Sequence, residues 1–255
     1  MKTEPANCLN CGSPADKNYC PQCGQKQHTH RLSIGHFILH DMLHGIWHLD
    51  KGIPFTLKEI LIRPGFVARE YIEGKRAKYF NFFSLLILTI ALNFFIHGLL
   101  PVKDELQGDL EQFRSFFTFL QKNGRLFLFL LLPFMAFWTF VLFRKMHYNY
   151  TEHLVPTLLV LTVSLILDLL CSLGDYFMGG TWIDDHAIVL YLILAFGIFT
   201  YWQFTGGTYS IMGFAWRILL AFLLFFFIII LLLYFGQEYW NYTHEIHPGK
   251  MKPGM

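Results

Sequence analysis

From Ile218 to Phe235 the chain is built almost wholly of leucine, isoleucine and phenylalanine, with no charge in eighteen residues. About 20 such residues in a helix cross the hydrocarbon core of a bilayer, where the backbone must satisfy its own hydrogen bonds. Five stretches have this character, at approximately 82–100, 126–143, 154–173, 187–204 and 214–235. No formal charge lies between Lys78 and Lys103, or between His186 and Arg217. Composition agrees, since 15 % of the residues are charged where a soluble domain carries about 25 %. The expected fold is an all-α polytopic membrane protein of about five transmembrane helices. Pro133 is placed to kink the second span, and Pro156 falls in the first turn of the third.

A second feature sits ahead of the spans. Cys8-x₂-Cys11 and Cys20-x₂-Cys23 are separated by eight residues, and each pair is followed by a glycine, Gly12 and Gly24. A Cys-x₂-Cys turn delivers two thiolates from one loop, so two turns complete a tetrahedral Zn²⁺ shell of the structural kind. The glycines suit the sharp turn after each second sulfur. The expectation is a zinc ribbon over residues 1–26. Two disulfides are the alternative, disfavoured because no secretory segment precedes the cysteines. Rubredoxin-like iron is the chemical alternative. Cys171, inside an apolar run, reads as a buried structural thiol.

Orientation follows from the cations. Arg63, Arg69, Lys75, Arg76 and Lys78 precede the first span, Arg144 and Lys145 follow the second, and the loop 174–186 has acids but no Lys or Arg. The positive-inside rule puts the ribbon in the cytoplasm and the polar tail 236–255 outside. Lys103, Arg114, Lys122 and Arg125 run against that assignment. The formal charge of +2 gives no reason to expect nucleic acid as a partner.

Residues 33–80 read as amphipathic helices at the membrane surface. Ser33 caps a helix to about Leu49, with Ile34, Ile38, Met42 and Ile46 on one face and His36, His40, His44 and His48 on the other. The four histidines spread over about 120° of an ideal helix, too far to share one ion unaided. A polar, titratable face is the plainer reading. Thr56-Leu-Lys-Glu59 has the capping-box pattern for a short helix that Arg63-Pro64-Gly65 ends. A second helix is expected over 66–73 with Gly74 as its left-handed cap. Arg69, Lys75, Arg76 and Lys78, interleaved with Tyr79 and Phe80, suit anionic lipid headgroups at about 1 kcal/mol per charge. Simple topology determination is the favoured reading of each single charge, and headgroup binding that of the cluster.

These residues carry a resemblance. His48-Leu-Asp-Lys-Gly52, Thr56-Leu-Lys-Glu59, Arg63-Pro-Gly65, Glu70-Tyr-Ile-Glu-Gly-Lys-Arg76 and Tyr79-Phe-Asn81, with the later Tyr150-Thr-Glu-His153-Leu, resemble an uncharacterised bacterial membrane family, domain of unknown function 3667. The resemblance implies a zinc ribbon, this signature stretch and several spans in a bacterial inner membrane. It implies no activity. Phe82 departs from the pattern, in which proline follows the asparagine.

Inside the spans one acid stands out. Asp168 is a functional candidate by default, because a buried carboxylate must be paired or protonated. His97, at the end of the first span, is its expected partner, ahead of Arg217. Glu152 and His153 open the third span, where a cap explains the acid, and Asp184-Asp185-His186 open the fourth likewise. Between the first two spans Leu106, Leu110, Phe113, Phe117 and Leu120 form a helical apolar stripe. No nucleophile elbow, phosphate loop or H-E-x-x-H run occurs. The leading functional expectation is a non-enzymatic membrane adaptor: the lipid bilayer holds the protein and the ribbon docks a protein partner. The alternative is a transporter of a small solute, ion or lipid using Asp168, His97 and Asn93. A third is a membrane metalloenzyme using His36, His40, His44 or His153.

Overall fold

Pro64 decides how the segment ahead of the bundle folds. A computed structural model describes residues 7–14, 18–26, 32–33, 52–99, 131–177 and 186–246, the side chains of 186–187 and 237–246 excepted. Helix α1 spans Gly52–Ile62 and α2 spans Pro64–Ile72. Arg63 between them adopts φ −142° and ψ 54°, because a residue before proline is driven out of the helical region. Pro64 then opens α2 at the position that needs no N–H donor. At the far end Gly74 takes φ 99°. Its N–H donates to the Tyr71 carbonyl at 3.2 Å, and Lys75 N–H donates to Glu70 at 2.9 Å, the paired bonds of a Schellman cap.

The capping-box expectation at Thr56 is corrected. Helix α1 already runs from Gly52, so Thr56 lies inside it, fully buried. Its hydroxyl accepts the Phe80 N–H at 2.8 Å, and a tertiary partner has taken the oxygen that a cap would use. Helix α3 spans Phe82–Leu99 and is started by Asn81, whose side chain accepts the Ser84 N–H at 3.0 Å. Phe82, where the resemblance leads one to expect proline, is the first helical residue. There it packs its ring 4.4 Å from Tyr71.

The remaining helices are α4 (Leu131–Leu142), α5 (Tyr150–Phe177), α6 (His186–Thr205) and α7 (Ile211–Ile246). Among the described residues four helices, not five, are long and apolar enough to cross a membrane: α3, α5, α6 and α7. The expected second span is represented by α4, which alone is too short, and 126–130 lie outside the described residues. The third span is also longer than expected. Asn149 and Glu152 exchange reciprocal bonds, Asn149 Oδ1 accepting Glu152 N–H at 2.8 Å and Glu152 Oε2 accepting Asn149 N–H at 2.7 Å. This capping box starts α5 before Leu154, so Pro156 sits inside the helix rather than in its first turn. Helix α7 likewise continues past the expected boundary at Phe235, through part of the expected tail.

Helix α5 is the centre of the bundle. In its most apolar window 61 % is buried, against 11 % for α7, whose Leu219, Leu223, Phe227 and Ile230 face outward. Helix α3 packs along α5, and α2 packs against both α6 and α5. Helix α2 thus buries one face in the bundle: Val67 and Ala68 are fully buried, and Tyr71 and Ile72 nearly so, while Phe66 on the other side is exposed. Gly65 permits this. A Cβ there would lie 2.5 Å from Gln203 Cβ and closer still to the backbone of Phe204 and Thr200. The histidine stripe at 36–48, the apolar stripe at 106–120, Asp184-Asp185 and the last residues of the tail lie outside the described residues.

Candidate metal centre and polar sites of the bundle

Each cysteine pair folds the same way. Gly12 N–H donates to the Cys8 carbonyl at 2.8 Å and Cys8 N–H to Ser13 at 2.9 Å. In the second knuckle Gly24 N–H donates to Cys20 at 2.9 Å and Cys20 N–H to Gln25 at 2.8 Å. Gly12 and Gly24 have φ 73° and 72°, a left-handed turn that glycine enters without steric cost. Antiparallel bridges Asn7–Pro14 and Tyr19–Lys26 close the two loops.

The four sulfurs converge, all within 4.8 Å of one another. Cys8 and Cys23 are 3.6 Å apart, as are Cys11 and Cys20. That is far beyond a disulfide of about 2.05 Å, and all four thiols are free. A tetrahedral ion with bonds of about 2.3 Å sets its sulfurs about 3.8 Å apart, so the donor set fits a four-thiolate metal centre. The electrostatics are mixed. The Ser13 hydroxyl, 3.2 Å from Cys20 Sγ, lowers that thiol to about 6, whereas burial pushes Cys23 up to about 11. The backbone N–H of Cys11 lowers Cys8. Among the described residues no other group of three or more His, Cys, Asp or Glu side chains gathers closely enough to hold an ion.

The module is docked, which the sequence did not signal. Gln25, at the end of the second knuckle, is 4 % exposed. Its Nε2 donates to the Gly74 carbonyl at 3.0 Å, and its Oε1 accepts the Ala77 N–H at 2.8 Å. Further on, the Leu32 carbonyl accepts from Asn149 Nδ2 at 2.9 Å.

An ion cluster centres on Glu70 of α2. Glu70 pairs with Arg63 at 3.3 Å and Lys78 at 2.5 Å, and accepts the Tyr79 hydroxyl; Arg63 also pairs with Glu59. Burial opposes ionisation of Glu70, but donors from Lys78 and Tyr79 prevail and bring its carboxyl down to about 2. Burial and the Glu70 contact push the Tyr79 phenol up. Of the four cations expected at headgroups, Lys78 is thus paired with Glu70, and Lys75 meets Glu73 at 3.4 Å. Arg76 donates to the Tyr71 carbonyl at 3.2 Å, and Arg69 lies over the Phe66 ring.

Residues 50–94 match the family described as a protein of unknown function (DUF3667). That match covers well under half of the chain, and it coincides with α1, α2, the turn and α3. No curated protein and no solved structure matches the chain.

Within the bundle His97 Nε2 lies 3.5 Å from Asp168 Oδ2. Asp168 also lines a cleft of about 210 Å³ with Cys171, Ser172, Asp175, Val189, Leu190 and Ile193. Asn93 is buried and donates to the Leu165 carbonyl at 3.2 Å. Arg217, the other partner considered for Asp168, instead donates to the Leu142 carbonyl at 3.0 Å. His153 is fully enclosed by the rings of Phe140, Tyr148 and Phe204. Neither of its ring nitrogens has a hydrogen-bond partner among the described residues.

Proposed function

We propose that the chain is a non-enzymatic adaptor of a bacterial inner membrane, with a Zn²⁺-closed ribbon presented in the cytoplasm. Convergence of the four cysteine sulfurs carries this reading. The ribbon buries Gln25 toward the bundle and leaves Leu9 51 % and Tyr19 61 % exposed, an apolar pair available to a protein partner. Zinc suits four thiolates, and binding worth on the order of 10 kcal/mol supplies the folding energy that so small a module lacks. The cations at 63–78 and 144–145 favour a cytoplasmic ribbon by the positive-inside rule. A photo-crosslinker at Tyr19 in native membranes tests the adaptor. It should capture one defined protein from the metal-loaded chain and lose it on Cys8→Ser or Leu9→Glu. Capture indifferent to both substitutions contradicts the reading.

The 3.5 Å contact between His97 and Asp168 favours a second reading, a carrier of a small solute, ion or lipid. On that reading Asp168→Asn inserts normally but abolishes flux in proteoliposomes. Unchanged flux removes it.

A further inference from the structure

Gln25 belongs to two structures at once. Its carbonyl accepts the Cys20 N–H at 2.8 Å and so closes the second cysteine knuckle. Its side-chain amide reaches across to the turn between α2 and α3, donating to Gly74 and accepting from Ala77, with a longer bond to the Lys26 carbonyl at 3.3 Å. Burial makes those bonds consequential, since a polar group 4 % exposed has no water to replace them. The turn it grips carries Lys75, Arg76 and Lys78 and leads directly into α3.

The knuckle has little else to hold it. Its buried apolar cluster consists of Cys8 and Cys20 with Cys23 packed against them, which is too small a core to fold unaided. We propose that Gln25 is the joint through which metal occupancy of the four-cysteine centre sets the order of the 74–78 turn. With the ion bound, the second knuckle holds the amide in the turn. When the ion leaves, the knuckle opens, Gln25 withdraws, and the Gly74 carbonyl and Ala77 N–H lose their partner. The basic residues of the turn are then released from a fixed arrangement at the membrane surface. This inference rests on reading the four cysteines as a metal centre.

Hydrogen–deuterium exchange on the full chain in nanodiscs tests it, with elemental analysis of the same samples. Three states are compared: loaded with Zn²⁺, stripped with a chelator, and reloaded. Stripping should speed exchange at Ala77 about tenfold or more while α3 and α5 stay protected, and reloading should restore it. Gln25→Ala should give the fast exchange with the metal still bound, and stripping that variant should add nothing at the turn. Gln25→Glu, which keeps the acceptor and loses the donor, should fall between. The proposal is overturned if the metal is lost while Ala77 remains protected, or if Gln25→Ala leaves the turn as slow as in the unaltered chain. A chain that neither contains nor takes up Zn²⁺ removes the metal reading and this coupling together, an outcome the elemental analysis separates from failure of the joint alone.

Discussion

Glycine 65 shows how one missing side chain fixes a packing. Its backbone N–H donates to the Gln203 side chain at 3.1 Å, and α2 lies directly against the α6 backbone. Gly65→Ala forces those two backbones apart and is expected to lower stability by about 2–4 kcal/mol, within the range of severe core overpacking. Gly98→Ala, where an added Cβ meets nothing within 4 Å, should be neutral or stabilising by up to about 1 kcal/mol. Thermal unfolding in detergent compares them, and equal melting temperatures would contradict the close approach. Glu70 supplies a pH dependence. Its folded carboxyl titrates near 2 against an ordinary value of 4.5, so its contribution is fully present above the ordinary value and disappears as pH falls toward 2. Acid unfolding of the wild type should therefore show a loss in that window that Glu70→Gln has already suffered at neutral pH. Identical acid profiles for the two proteins would refute the role of the cluster.

At the scale of elements, the long helices and the breaks at Arg63-Pro64 and Gly74 were legible because each follows from local chemistry: apolar length, a missing donor, a left-handed cap. What escaped was set by partners distant in sequence. Thr56 has the spacing of a cap, yet Phe80 holds its hydroxyl. The docking of Gln25 was invisible because nothing nearby says that Gly74 and Ala77 will meet it. The amphipathicity of α2 was legible, but whether its apolar face meets lipid or α6 depends on Gly65 and its opposite backbone. The cysteine spacing, by contrast, was sufficient for the centre, since a local turn repeated twice builds it. The signature stretch gains a structural meaning here: Thr56, Glu59, Arg63, Glu70, Tyr79 and Asn81 pair, cap or pack its own helices, and Gly65 seats α2 on α6. Helix starts can be tested alone. Asn149→Ala removes half of the reciprocal cap of α5 and the bond to Leu32, and should cost about 1–2 kcal/mol. An unchanged melting temperature would show that α5 starts elsewhere.

For the whole molecule, the cysteine module, α1, α2 and the turn before α3 gather at one end of the helices, around the start of α5 and the end of α6. Helix α5 forms the axis, and α7 presents its apolar flank outward. A bundle of that composition is held by lipid on its flank and by packing around α5 within. At the opposite end, His97 and Asp168 meet at the cleft between α5 and α6. Metal content tests most directly the claim that an ion holds the four cysteine sulfurs that converge in the module. Elemental analysis of the full chain purified from membranes should find about one Zn²⁺ per chain, bound by the four thiolates, and none after Cys8→Ser with Cys11→Ser. Purified, folded protein that contains no metal and takes none up would contradict it.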